Sequence, residues 1–503
     1  MKKACAIVLL FVSCSLRAQF YSATSAGGNT GADCSDAYAY NDGAHGLGVA
    51  KTWTPGATLH LCGTFTETAG QTLITSQASG TSGSPITLKF ETGAVLTAPY
   101  WGGSDAGAIN INKNYIIVDG GTNGTIENTA NGTSLTYQQT SIGVFVGYTT
   151  TNVELKNLSV LNMYIRSGTG GDGANVYGLR ALDAGGGNSN LSIHNNTITH
   201  ARAGIIDTYG TSSNVKIYSN TISGIVWGIN VGSNGSGPYT MSGLSIYSNS
   251  ISGFGEWANT ADTLHMDGVF VYANSSAGSV ANPLIYNNSV RTDFPSGNGT
   301  AAIYYGGWVN GANTFNNVLA CVGGADPMDG YIFGVAGSNL ASYNNTIVGC
   351  GLGLGIGMYY ASTSGVPTTN VTNQNNLIEN VQIGVWLDTS STFAGSSNNL
   401  YYSTGTWYVG RLGSSYYSSL AAWRAACSCD ANSLTSNPAL SGSYTLTVGS
   451  PAIQSGTNLT SLGITALDLD AAGAVRPATG AWDIGAHQHL LLGPPTGLRD
   501  LVK

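Results

Sequence analysis

A short unit of sequence, written twice, constrains this chain more than any other feature. Leu191-Ser-Ile-His-Asn-Asn-Thr-Ile198 is followed by Gly204-Ile-Ile-Asp207, and Val215-Lys-Ile-Tyr-Ser-Asn-Thr-Ile222 by Gly228-Ile-Asn-Val231. Each copy is an apolar-alternating run, an Asn turn, a spacer and a second run opened by Gly. One such unit cannot bury its own apolar face, but stacked units share a continuous core. The pattern therefore points to a solenoid.

The repeat can be phased on its Asn: Asn196, Asn220, Asn249, Asn288, Asn317, Asn345, Asn376 and Asn399, spaced between 23 and 39 residues. Unequal spacing means insertions in some coils. Asn tolerates the left-handed backbone and bonds locally, so it suits a tight corner, and equivalent Asn side chains can bond each other between coils. The second run is opened by Gly143, Gly178, Gly204, Gly228, Gly268, Gly355 and Gly384, with Ala302 and Tyr331 as departures. Val144, Leu179, Ile205, Ile229, Val269, Ile303, Ile332, Ile356 and Val385 follow, one inward column of branched aliphatics. Nothing shows helical periodicity of useful length.

Composition agrees. Charged residues are 8 %, against roughly a quarter in typical soluble domains, while 71 Gly and a 42 % apolar fraction favour a turn-rich all-β chain over disorder. A net charge of −8 argues against nucleic acid as a partner, because binding it needs a basic surface. Lys2 and Lys3 before the apolar Ala4–Leu16 run, with Leu16-Arg17-Ala18 after it, read as an export signal. The run is too short to span a bilayer. Phe11-Val-Ser-Cys14 gives a lipoprotein site as the second choice. The protein is expected to be secreted or at the cell surface. Six cysteines remain beyond the signal, which suits disulfides. Cys321 and Cys350, 29 residues or about one coil apart, and Cys34 with Cys62, are the expected pairs.

This organisation resembles the right-handed parallel β-helix, or pectate-lyase-like, superfamily. The ending Ser450-Pro-Ala-Ile and Arg476-Pro-Ala-Thr-Gly-Ala-Trp-Asp-Ile-Gly-Ala-His-Gln488 resembles the closing motif of choice-of-anchor-type β-helix proteins, with Gln488 where those carry Glu. The resemblance implies an all-β, right-handed parallel β-helix with capping segments at both ends. The expected division is a signal over 1–18, the β-helix with its N-terminal cap over 19–400, C-terminal coils and cap over 401–490, and a tail over 491–503. The superfamily holds lyases, hydrolases, epimerases and adhesins, so chemistry must come from particular residues.

The clearest break in the rhythm is Glu256-Trp-Ala-Asn-Thr-Ala-Asp262-Thr-Leu-His265-Met-Asp267-Gly268. Two carboxylates about a sugar bond are what glycoside hydrolysis requires, and a His can orient one of them. Asp262, His265 and Asp267 are thus the expected catalytic residues of a polysaccharide-degrading glycoside hydrolase, acting as a monomer. His-Met-Asp-Gly resembles the Asn-Thr-Asp-Gly stretch of polygalacturonases, whose later Asp-Asp, Gly-His-Gly and Arg-Ile-Lys motifs are absent here. Asp207, a charge on an inward-phased position, joins the catalytic set, with His200 and Arg202 as its expected partners. For substrate binding, Arg180, Ile206, Asn230 and Phe270 are read as one outward column. Phe145 precedes them and Tyr304, Phe333 and Trp386 follow, rings suited to sugar faces or to stiffening the stack. Asp183 and Tyr209 lie further along that face, and Arg202 and Trp257 complete the binding set. A uronate lyase is the second reading. It would use Arg180, Arg202, Lys216 or Arg291 as base, and Ca²⁺ on Asp262, Asp267 and Asp293. A glycan-binding or adhesin-like surface protein is the third.

Overall fold

A computed structural model describes residues 18–131, 139–163, 179–234, 237–255, 266–276, 278–294, 299–351 and 355–489. Among these, strands form two sheets of 18 and 23 members. The named strands pair in parallel throughout, except for a hairpin joining Tyr408–Leu412 to Ser415–Tyr417. The architecture is a parallel β-helix.

Period-two alternation sets the core. In the first sheet Leu59, Leu88, Val118, Leu155, Ile193, Ile217, Ile246 and Ile285 stand level from coil to coil, all fully buried. Beyond Ile285 the column becomes Thr314, Ser342 and Asn373. A buried polar group needs a partner, and the opposite wall supplies one. Tyr305 Oη lies 2.6 Å from Thr314 Oγ1, and Tyr360 Oη donates to Asn373 Oδ1 at 2.8 Å.

The phasing Asn residues form a ladder. Each donates its Nδ2 to Oδ1 of the next, from Asn196 to Asn399, at 2.9–3.2 Å. The left-handed conformation belongs to the residue just before each one, such as Asn195 (φ 55), Ser219 (φ 54) and Asn344 (φ 49). Turning and bonding are thus split between neighbours. One residue bends the chain and the next locks the coils.

Ten strands of the second sheet matter for the site: β1 (Ser141–Val146), β2 (Leu179–Ala184), β3 (Thr197–Tyr209), β4 (Thr221–Asn234), β5 (Met266–Ala273), β6 (Gly299–Gly307), β7 (Gly330–Val335), β8 (Ile356–Ala361), β9 (Ile383–Leu387) and β10 (Tyr408–Leu412). Their inward column departs from the sequence phase twice. Leu182, not Leu179, is level with Val144 and Ile205. Met358, not Ile356, is level with Ile332 and Val385. The position before the core residue is therefore Ala181 in β2 and Gly357 in β8. Space explains the preference: a Cβ at Gly228 would lie 2.4 Å from the Gly268 carbonyl. Ala181 and Ala302 hold the slot with the smallest side chain, so Gly alone does not mark it.

Helix α1 (Leu420–Cys427) closes the C-terminal end by driving Trp423 into the core, where its Nε1 donates to Asp430 Oδ2 at 2.7 Å. The chain then folds back along the outside of the first sheet. The left-handed Asn residues hold this strap: Asn316 donates to Leu469 O (2.7 Å), Asn344 to Asp483 O (2.8 Å), Asn375 to Thr457 O (2.8 Å) and Asn398 to Ser455 O (3.0 Å). Disulfides join Cys34–Cys62 and Cys321–Cys350 as expected, and Cys427–Cys429 as a third pair that the spacing did not suggest. No helix among the described residues is long and apolar enough to cross a membrane.

Candidate functional site

The outer face of β1–β10 carries buried charged residues, Asp183, Arg202 and Asp267. Register defines two outward columns. One runs through Arg180, Ala203, Trp227, Asp267 and Ala301. The other runs through Phe145, Asp183, Ile206, Asn230, Phe270 and Tyr304, then Phe333, Tyr359 and Trp386. The sequence reading put Arg180 in the second column. The three-residue phase shift in β2 gives that place to Asp183 and moves Arg180 to the first.

The two remain partners. Arg180 Nη1 donates to Asp183 Oδ2 at 2.6 Å. Burial pushes the Asp183 carboxyl up, while the Arg180 charge and hydrogen bond hold it down. Asp183 Oδ1 and Asn230 Oδ1 are both buried and have no hydrogen-bond partner among the described residues. Arg202 is 1 % exposed and stacks its guanidinium 4.2 Å from the Trp227 ring. Asp267 is fully buried beside Trp227 and Ala301.

The aromatic column is a continuous ladder. Ring centroids step 4.5 Å from Phe270 to Tyr304, 4.9 Å to Phe333, 5.2 Å to Tyr359 and 4.0 Å to Trp386, where Arg411 stacks at 3.6 Å. Tyr359 escaped the sequence reading because β8 was phased two residues early. Asp329 escaped it as well, since it precedes β7 and belongs to no motif. Burial pushes the Tyr304 hydroxyl up, and both Asp267 and Asp329 add to this through their charge. Two carboxylates therefore bear on one ring. Asp329 comes one residue before Gly330, which is level with Ala301 and, through it, Asp267. Two strand spacings separate them, roughly 10 Å of stack.

Asp207 faces the other way. It is level with the core residues Val231 and, through it, Val271, and is fully buried. Its described partner is Ser212, whose Oγ lies 3.3 Å from Oδ1; neither His200 nor Arg202 pairs with it. Burial pushes this carboxyl up to about 8, against the Ser212 hydrogen bond and helped by the Asp183 charge. It is placed behind the outer face rather than on it. Asp293, one of the calcium candidates, accepts the Gly253 and Phe254 backbone amides at 3.2 and 3.0 Å, as a turn cap does. Trp257, Asp262 and His265 lie outside the described residues.

Fold and face together define a parallel β-helix with one outer surface where carboxylates, guanidinium groups and a ring ladder meet. No protein-family model matches the chain, and no curated protein sequence does. Among solved structures it is similar to pectate lyase Pel9A, at 15 % identity over 95 % of this chain and 98 % of that one, with a TM-score of 0.38. The A-module of mannuronan C-5 epimerase AlgE6 from Azotobacter vinelandii matches at 12 % identity over 76 % and 90 %, TM-score 0.39. The GH136 lacto-N-biosidase from Eubacterium ramulus matches at 14 % over 78 % and 65 %, TM-score 0.42. The reading of the site rests on its own residues.

Proposed function

We propose that this protein degrades a polysaccharide as a glycoside hydrolase, on the outer face of β2–β8. The observation that carries this reading is the pair of buried acceptors, Asp183 Oδ1 and Asn230 Oδ1, without partners among the described residues, in the column that continues as the ring ladder. Sugars offer hydroxyl donors for the first and apolar ring faces for the second. Asp267 and Asp329, converging on Tyr304, are the proposed acid and base. Their strands stand roughly 10 Å apart along the stack, and an inverting pair, with roughly 6.5–9.5 Å between carboxyl groups, leaves room for the attacking water. Asp183 would sit roughly 14 Å along the stack from Asp267, three strand spacings away, and binds rather than reacts. Asp262 and His265 stay in the proposed set as neighbours of Asp267 in sequence. The lyase reading has less support, since Arg180 is held by Asp183 and Arg202 is buried against Trp227.

Incubation with a panel of glycans tests this. New reducing ends without ultraviolet-absorbing unsaturated products support hydrolysis. Unsaturated products would replace it with elimination, and binding without cleavage would replace it with a binding role. Full activity in both Asp267→Asn and Asp329→Asn would remove the assigned pair.

A further inference from the structure

A second feature stands at the ends of β1, β2 and β3, where the chain leaves the outer face. Tyr148, Tyr209 and Tyr239 surround a cleft of about 470 Å³ whose other walls are Thr149, Thr211 and a glycine floor. These rings are 49 %, 40 % and 39 % exposed. Along the Phe270–Trp386 and His194–Phe315 columns, by contrast, outward rings stack on one another. Tyr209 and Tyr239 touch no ring among the described residues, and Tyr148 meets only the edge of Phe145, at 6.0 Å. Three tyrosines left open around one hollow expose apolar surface that a monomeric fold ordinarily covers.

The floor is bare by necessity. Gly186 (φ +125) passes so near Tyr209 that a Cβ would meet the Tyr209 carbonyl, and Gly210 (φ +77) lies against Gly187 in the same way. Only backbone fits there, so the hollow stays flat and open between the rings. Tyr148 is fixed in place by donating its hydroxyl to Asp105 Oδ1 at 2.8 Å. Among the described residues no charged side chain lines the cleft. Two carboxylates act on Tyr148, Asp105, which its hydroxyl bonds, and Asp183, which is paired with Arg180.

We infer that this cleft is a subsite for an uncharged sugar ring of the glycan, and therefore that the substrate is neutral at this position rather than a uronate. Rigid, amphipathic tyrosines give flat apolar contact with hydroxyl groups at their edges, and the threonines add donors and acceptors. A carboxylated ring would enter beside Asp105, with Arg180 already held by Asp183 and no cation among the described lining residues to meet it. The cleft adjoins Asp183, so a chain lying along the aromatic column reaches it at the β2 end. The inference rests on the hydrolase reading and narrows its substrate class.

Calorimetric titration of Asp267→Asn, used to prevent turnover, tests it with neutral hexasaccharides (β-1,4-linked glucose, mannose or xylose) and acidic ones (oligogalacturonate, oligomannuronate). At least one neutral probe should bind, and more tightly than either acidic one. Adding Tyr209→Ala and Tyr239→Ala should weaken it roughly tenfold, while the paired Phe substitutions should retain it. Should the double Ala variant fail to fold, Tyr239→Ala alone is read in the same way. Preference for an acidic probe, no binding of any neutral probe, or unchanged affinity in the Ala variants overturns the subsite. The hydrolase reading is judged separately, by release of reducing ends from the unsubstituted chain. Binding that needs the tyrosines, without such release, keeps the cleft and removes the hydrolase.

Discussion

The chain carries two aromatic ladders, one on the outer face of each sheet, with very different surroundings. On the first sheet His194, Tyr218, Tyr247, Tyr286 and Phe315 stack at 4.5–4.9 Å. The C-terminal strap lies over the far end of that ladder, with Leu459, Leu467 and Trp482 packed on Phe315 and Tyr343. On the second sheet the Phe270–Trp386 ladder has almost the same spacing, but it shares its face with Asp267, Asp183, Arg180 and Asn230. Stacked rings by themselves are therefore part of how this stack is built. The first ladder has charges too, with His194 and Lys156 on Glu154; what sets the second apart is that its carboxylates, Asp183 and Asp267, are buried.

The sharpest way to break this comparison is to remove the chemistry and leave the rings. Asp267→Asn should lower hydrolysis by about 10²–10⁴-fold, the range for loss of a general acid or base, with the unfolding midpoint little changed. Reducing-end assays and urea denaturation on the same preparation read both. The converse is Trp482→Ala, which empties the strap over the first ladder. Loss of so large a buried side chain should cost about 3–5 kcal/mol in urea unfolding, with activity per folded molecule intact. Should Trp482→Ala abolish activity at full stability, the two faces would have exchanged roles.

Asp207 sharpens the comparison from behind the open face. Its folded carboxyl titrates near 8, above its ordinary 3.8. Between these values the unfolded chain has released a proton that the folded chain keeps. Its contribution to stability is therefore full below about 3.8 and falls as pH rises to about 8. Asp207→Asn, neutral at every pH, should flatten that slope, gaining on the order of 5 kcal/mol at pH 8 and almost nothing at pH 4. Urea midpoints across that range check it. The smallest effect separates the rings themselves. Tyr304→Ala should weaken glycan binding several-fold, whereas Tyr247→Ala should leave binding unchanged and cost about 0.5–1.5 kcal/mol of stability from lost stacking.

The scaffold was legible because one physical demand recurs in every coil from Asn196 to Asn399. All eight phasing Asn residues occupy the ladder, since a buried corner amide must bond its neighbour whatever the loop lengths between them. The Gly phase was a weaker guide. Its slot also takes Ala, and Tyr331 in β7, so Ala181 and Gly357 could hold it while Gly178 and Gly355 drew attention, and that error misplaced Arg180. Asn230 and Phe270 could be seen as outward because each follows its core residue by one step, whereas the same step from Leu179 gave Arg180 in place of Asp183. Asp329 and the tyrosine cleft could not. Their residues are far apart in sequence and meet only through coil stacking, with insertions that spacing does not reveal. The strap was equally hidden, because nothing in Asp483-Ile-Gly-Ala486 says that it will dock on Asn344, 139 and 141 residues earlier.

The Asn ladder is also a one-way series of dipoles. Every Nδ2 gives its proton toward the C-terminal end, so the side-chain amides point the same way and polarise one another. The line starts where Asn196 Oδ1 takes the Leu158 amide, and it stops where Asn399 Nδ2 donates to Asp430 Oδ1 at 2.9 Å. While the chain is being made, each newest coil leaves a hydrogen-bond donor open at its growing edge. Only the arrival of Asp430, an acceptor with nothing to pass on, brings the series to a close.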